Sequence, residues 1–201
     1  ENATVTDING ETRQFVPAEY SIKNDLYSQN QIDFIDKYLN NLFKIVYEAC
    51  ENGKYYKFDE NYDLVDSDVT TAEEAVSNVM DIDSVRDMYI LYEIVHDYDC
   101  GEGSFYMCVD LSKDSKCPKL KFTSPWDFNW AYNDSTEKYY AGAFTDKNFV
   151  AKKGDRSNPW FIVLCKQDWF MATAKEKWTE MSQEKLLQGC IKTERDRKSV
   201  V

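Results

Sequence analysis

Two short acidic turns carry the side chains of this sequence best suited to chemistry. The first, HDYDCGEGS, holds Asp97 and Asp99, with Ser104 five positions after Asp99; the second, SPWDFNW, holds Asp127. Between them lie two β-rich runs, SFYMCV at 104–109 and KLKFT at 119–123, joined by a polar, Pro-containing connection. Such runs predict a β-hairpin that brings the two acidic turns together. Phosphoryl transfer needs this layout, because one carboxylate orients an attacking hydroxyl while another holds Mg²⁺ against the phosphate oxygens. Each residue also has a purely structural reading. Asp99 could cap a helix or sit solvated in its loop, Asp127 could close an Asx-turn beside Pro125, and Ser104 could bond its own backbone at a strand start. His96, the only histidine, reads as a helix C-terminal residue complementing the helix dipole rather than as a general base.

The elements that must position these turns are mostly helical. The first 27 residues are polar with scattered apolar positions, and Asn9-Gly10 predicts a two-residue hairpin turn. Ser28 and Gln31 form a capping box ahead of Ile32, Ile35, Leu39, Leu42, Phe43, Val46 and Ala49, an apolar stripe at helical spacing. That helix should run to about Cys50 and stop at Asn52-Gly53. The following KYYKFDENYDLVDSD reads as a loop with a short strand. Its acidic part, Asp59 to Asp68, lacks the Gly and closing Glu of a calcium-binding loop and reads as solvated. Thr70 with Glu73, or Thr71 with Glu74, opens a short helix, and Asp83 is expected to cap a second one ending near Val95. WFIVLC at 160–165 and the alternating positions from Asp168 to Ile191 predict two or three C-terminal helices and a charged tail. No repeat or low-complexity linker divides the chain, so residues 1–201 are read as one mostly helical α+β domain.

Composition narrows the partners. Thirty-six acidic against 24 basic side chains give a net charge of −12 over 201 residues, which argues against nucleic acid, whose phosphates call for clustered Lys and Arg. No run approaches the ~18 apolar residues of a membrane span, and no basic-then-apolar leader opens the sequence. With 43% hydrophobic and 15% aromatic residues, the chain can build a sizeable core, and most of its tryptophans and tyrosines belong there. Trp126 is singled out because its packing would fix the turn carrying Asp127. The six cysteines show no CxxC pair, which disfavours a zinc ribbon or thioredoxin motif. They read as buried free thiols, with a Cys108–Cys117 disulfide across the hairpin connection as the alternative.

Residue identity adds a family to this layout. EIVHDYDCGEGSFYMCVD resembles the CotH pattern of a helix ending in Glu-Leu, an Asn-x-Asp loop and a Ser-Phe-Tyr strand. SPWDFNWAY resembles that family's Pro-x-Trp-Asp-x-Asp turn, and NPWFIVLCKQDWFMATAKEKWTEM its closing helical segment. The chain is therefore similar, from about Leu26 to Met181, to the mostly helical C-terminal lobe of CotH-family atypical protein kinases. The five-residue offset from Asp99 to Ser104 and the Asp127-Phe128-Asn129 turn also resemble the catalytic loop and the Asp-Phe-Gly turn of protein kinases. The resemblance implies Asp99 as the catalytic-loop Asp, Asp127 as the principal Mg²⁺ ligand, Ser104 as secondary support near the metal and cofactor, and Asn129 at the place of the family's second turn Asp. It further implies ATP and Mg²⁺ as cofactors and a protein hydroxyl as acceptor, as on a spore coat or cell-surface protein, in a secreted, surface or spore-associated bacterial setting.

Two departures bear on activity. Asp97 stands where the family often has Asn, which crowds two carboxylates into one loop and favours raising the pKa of one of them. Asn129 offers an oxygen but no charge. With seven glycines, no GxGxxG and only about 25 residues ahead of the first helix, the nucleotide-covering lobe is expected to be absent from this chain, and the chain alone is expected to bind ATP weakly. A non-catalytic binding or structural module on a degenerate kinase scaffold is the alternative from another class. Carbohydrate binding through exposed aromatics is a third.

Overall fold

The computed structural model describes residues 4–6, 12–14, 20–95, 104–131, 158–183, 185–186, 188–190 and 192. Strands β1 (Thr4–Thr6) and β2 (Thr12–Gln14) pair antiparallel with Thr6 opposite Thr12. The two-residue turn expected at Asn9-Gly10 lies outside the described residues.

Helix α1 (Gln29–Tyr47) starts where the capping box places it. Gln31 N–H donates to Ser28 Oγ, and Gln31 Oε1 accepts from the N–H groups of Tyr27 (2.7 Å) and Ser28 (3.2 Å). Orphan donors of the first turn are thereby satisfied. Its C-terminal half is sealed in the core through Tyr38, Leu42, Ile45 and Val46. The helix then widens into a π turn, Glu48–Asn52, and ends at Gly53 with φ +62°, a left-handed cap that glycine adopts without a Cβ penalty.

The acidic stretch read as a solvated loop is instead a hairpin, β3 (Tyr56–Phe58) against β4 (Leu64–Asp66), docked on α1. Asp59 Oδ1 accepts from the N–H groups of Asn61 and Asp63, both at 2.8 Å, and so closes the turn. Lys37 bridges Asp63 at 2.7 Å, and Asn41 Nδ2 donates to the Tyr62 carbonyl. The rings of Phe34, Tyr38, Phe58 and Tyr62 pack with centroids 5.3–6.3 Å apart. These tertiary contacts outweigh the weak strand periodicity of the segment.

Helix α2 (Ala72–Val79) uses the second of the two capping possibilities: Thr71 Oγ1 accepts from Glu74 N–H, and Glu74 Oε2 accepts from Thr70 N–H. Helix α3 (Ile82–Val95) begins at Asp81 rather than Asp83, because Asp81 Oδ1 accepts from Ser84 N–H. Asp83 lies inside the first turn and pairs with Arg86 at 2.6 Å. Strands β5 (Tyr106–Cys108) and β6 (Lys121–Thr123) form the expected hairpin, with Tyr106 opposite Thr123. Helix α4 (Pro159–Leu164) is capped by Asn158, whose Oδ1 accepts from Trp160 and Phe161 N–H, with Pro159 at the first helical position. Helix α5 (Asp168–Gln183) follows.

One core unites α1, α2, α3, β6, α4 and α5. Phe122 of β6 sits at its centre, with ring contacts to Phe105 (4.7 Å), Phe161 (5.7 Å) and Trp160 (6.1 Å). The fold is α+β and mostly helical, with three two-stranded antiparallel sheets among the described residues. Among the described residues no helix is long and apolar enough to cross a membrane. Cys108 and Cys117 are free thiols, so the disulfide alternative is not realised, and Cys50 and Cys165 are free as well. Burial pushes the Cys50 thiol up to about 12 and Cys165 well above the ordinary thiol range, which keeps both protonated and unreactive. Cys108 and Cys190, by contrast, are exposed.

Candidate functional site

The β5–β6 hairpin ends in a rim of unusual backbone. Ser104 (φ 50°), Ser124 (φ 55°) and Asp127 (φ 59°) all occupy the left-handed region, which costs a non-glycine residue about 1–2 kcal/mol. The Tyr106–Thr123 pairing puts Ser104 and Ser124 at the same end of the hairpin, and Asp127 follows four positions after Thr123. Strained residues of this kind persist only where surrounding structure over-determines them. Here the restraint is visible on β6, where alternate backbone groups turn away from β5. Leu120 N–H donates to Val79 O, Leu120 O accepts from Asp81 N–H (both 2.9 Å), and Phe122 N–H donates to Ser84 Oγ at 3.3 Å.

Asp127 precedes a 3₁₀ turn, Phe128–Trp130, and is exposed, with its side chain accepting no capping bond. The Asx-turn alternative is therefore not what the carboxylate does. Asn129, two residues on, is also exposed. The turn is anchored by Phe128, whose ring centroid lies 6.3 Å from that of Tyr92. Trp126 is 60% exposed, so the packing role expected of it belongs to Phe128. Left-handed Asp127 reverses the chain between them, sending one ring to the core and the other to solvent.

Asp127 and Asn129 together present carboxylate and amide oxygens to solvent, which fits two positions of a hard, oxygen-coordinated cation such as Mg²⁺, whose other ligands are commonly water and phosphate. Among the described residues no three His, Cys, Asp or Glu side chains cluster as a metal set. Asp97, Asp99 and His96 lie outside the described residues. Thus Ser104, Asp127 and Asn129 are placed on one end of the hairpin.

A cleft of about 930 Å³ opens beside this rim. One wall is the unbroken run 104–109, another is the segment 20–26, and a third is the N-terminal face of α1. Trp160 Nε1 donates to Tyr20 Oη at 2.9 Å, tying the 20–26 segment to the core.

Behind the rim, on the last turn of α3, lies Glu93. Its Oε1 is sealed from solvent and has no hydrogen-bond partner. Burial pushes its carboxyl up to about 7, partly offset by a hydrogen bond with Tyr89. The group was legible in outline, since Glu93 follows the buried Tyr89 by four positions and so shares its helix face. Ser124 had no such signal, because a serine ahead of a proline is ordinary in any loop.

The family model described as CotH kinase protein matches residues 13–194. The chain belongs to the CotH kinase family. The match spans α1 to α5 and takes in the rim, the cleft and Glu93. No curated protein and no solved structure matches the chain. Family membership supports a kinase-like function, and the α+β, mostly helical fold agrees with the architecture the resemblance implied.

Proposed function

We propose that this CotH-family chain acts in Mg²⁺-dependent transfer of the terminal phosphate of ATP to a hydroxyl of a protein. The observation that carries this reading is Asp127: an exposed carboxylate without a capping bond, in a left-handed conformation, four residues beyond a strand whose other edge is bonded into the core. A carboxylate so held is pre-oriented, and preorganised placement is the main protein contribution to phosphoryl transfer. When bound, Mg²⁺ would draw negative charge from the transferring phosphate. Asp127 would hold the ion with Asn129 beside it, and Ser104 would support the cofactor from the opposite strand start. Asp99, which the family resemblance makes the catalytic-loop residue, would orient the acceptor hydroxyl. The candidate acceptors are proteins of a spore coat or cell surface, in keeping with what the resemblance implies.

Calorimetry of Mg²⁺-dependent ATP binding to the protein and to Asp127→Ala tests the reading. Binding that needs Mg²⁺ and weakens at least about tenfold, ~1.4 kcal/mol, on substitution supports it. Binding of ATP that ignores both Mg²⁺ and the substitution would refute the assignment of Asp127. No binding at all would leave the family scaffold in a non-catalytic binding role, which the uncharged Asn129 also suits.

A further inference from the structure

Helix α3 ends in a buried polar chain. Tyr89 and Tyr92 are buried, and Glu93, four positions after Tyr89, shares its helix face. The Tyr89 hydroxyl is hydrogen-bonded to both Glu93 and Cys165, which joins the last turn of α3 to the end of α4. One carboxyl oxygen is left over: Glu93 Oε1 is sealed from solvent and has no partner. Such an oxygen is costly when the carboxyl is charged and far less so when it is neutral. The titratable groups that face it among the described residues are Tyr89 on its own helix and Cys165 of α4, both kept neutral by burial. Among those residues no charged group of α5 or of the β5–β6 hairpin acts on it.

The same turn of α3 supports both halves of the rim. The ring of Tyr92 lies 6.0 Å from that of Phe105, the neighbour of Ser104, and 6.3 Å from that of Phe128, the neighbour of Asp127. Tyr92 is fully buried, and in a close-packed interior its ring cannot shift apart from the helix turn that holds it. Displacing that turn therefore disturbs the supports of Ser104 and Asp127 together. Both residues have left-handed backbones, a conformation that persists only while its surroundings hold it.

We propose that Glu93 is a positioning residue for the rim: its neutral carboxyl keeps the last turn of α3 packed, and through Tyr92 this fixes Phe105 and Phe128, and with them Ser104 and Asp127, in the arrangement that receives Mg²⁺·ATP. Ionisation places a charge in apolar surroundings with no cation beside it, and the turn then has to loosen to admit water. Burial raises the carboxyl from 4.5 to about 7. The neutral form, and the ordered rim with it, therefore prevail below that pH and are lost above it. The proposal rests on the kinase reading for its ligand, whereas the coupling of Glu93 to the rim stands on the packing alone.

Two measurements on the intact protein, each at pH 6 and pH 8, test it. Amide hydrogen exchange, corrected for the intrinsic rate, follows Val95 in the last turn of α3 and Ala131, whose N–H donates to Phe128 O at 3.1 Å. Calorimetry follows Mg²⁺·ATP. In the native protein both protections and the Mg²⁺·ATP affinity should fall at least about threefold from pH 6 to pH 8. The Met80 amide, bonded to Val76 O at 2.8 Å in α2, should keep its protection. Glu93→Gln, a permanently neutral isostere, should retain protection at Val95 and Ala131 at pH 8 and bind Mg²⁺·ATP there at least about threefold tighter than the native protein. If that variant does not fold, Tyr89→Phe, which removes the hydroxyl that favours the ionised carboxyl, should move the midpoint of the loss to higher pH. Equal pH profiles for the native and Glu93→Gln proteins, or an unmoved midpoint in Tyr89→Phe, overturn the proposal. So does a loss at Met80 as large as that at Ala131, since the effect would then be one of global stability. The two readings fail separately: pH-dependent protection of Ala131 that Glu93→Gln abolishes, without Mg²⁺·ATP binding at either pH, removes the kinase reading alone. Mg²⁺·ATP binding that is lost in Asp127→Ala but has the same pH profile in Glu93→Gln removes this proposal alone.

Discussion

The two well-packed hairpins of this protein use the same secondary structure in opposite ways. In β3–β4 the turn carboxylate Asp59 is occupied by two backbone donors, Lys37 answers Asp63, and the strands are half-exposed and lean on α1. In β5–β6 the support is on the buried side, where Phe122 is 2% exposed and β6 is stitched to the α2–α3 junction, while Asp127 is left with its oxygens in solvent. The lesson is that an acidic residue's role depends on whether its oxygens are already used by local donors. Asp59 stabilises a turn; Asp127 makes no capping bond and sits on a left-handed backbone.

This contrast can be broken most severely at its base. Phe122→Ala should cost about 3–5 kcal/mol of stability by creating a cavity among Phe105, Trp160 and Phe161. Val65→Ala, on the 39% exposed side of β4, should stay within about 0.5 kcal/mol. Urea unfolding of the pair measures the difference, and equal losses would show that the second hairpin is no better anchored than the first.

Next in size is the buried acid behind the second hairpin. The Glu93 carboxyl has its folded pKa raised from 4.5 to about 7. Its neutral form is therefore favoured in the fold, so its contribution is fully present below about pH 4.5 and is lost as pH rises through about 7. The groups facing it among the described residues are Tyr89 on its own helix and Cys165 at the end of α4, both kept neutral by burial. Glu93→Gln should remove this dependence and gain on the order of 2 kcal/mol relative to the native protein near pH 8. Thermal melts from pH 5 to pH 8 decide it, and parallel pH profiles for the two proteins would show that Glu93 is not the titrating group.

Smaller effects should separate the two carboxylates directly. Asp127→Ala is expected to lose Mg²⁺-dependent ATP binding at least about tenfold while changing stability by less than about 0.5 kcal/mol. Asp59→Ala should do the reverse, lowering stability by about 1 kcal/mol through its two lost turn bonds and leaving ATP binding as it was. A calorimetric titration and a urea melt on each variant complete the square. Thr71→Ala, which removes a helix cap that belongs to neither turn, should cost about 1 kcal/mol and leave binding untouched; any binding loss there would mean that general stability, not the rim, governs the site.

The sequence by itself determined the elements whose signals are local. A capping box at Ser28 and Gln31, an apolar stripe through Leu42 and Val46, and a stop at Gly53 are each written within a few residues, because caps and helical faces are satisfied by neighbours in the chain. The order helix, hairpin, acidic turn was legible for the same reason, as was the family that this order and its aromatic residues suggest. Tertiary structure decided the remainder. Whether Asp81 or Asp83 starts α3, whether Trp126 or Phe128 holds the turn, and whether Asp59 to Asp68 is a loop or a docked hairpin all depend on which surface the rest of the chain presents. The exposed carboxylate of Asp127 and the sealed oxygen of Glu93 belong to the same class. Each is defined by partners distant in sequence, and burial and hydrogen-bond satisfaction are properties of the packed chain, not of any short segment of it.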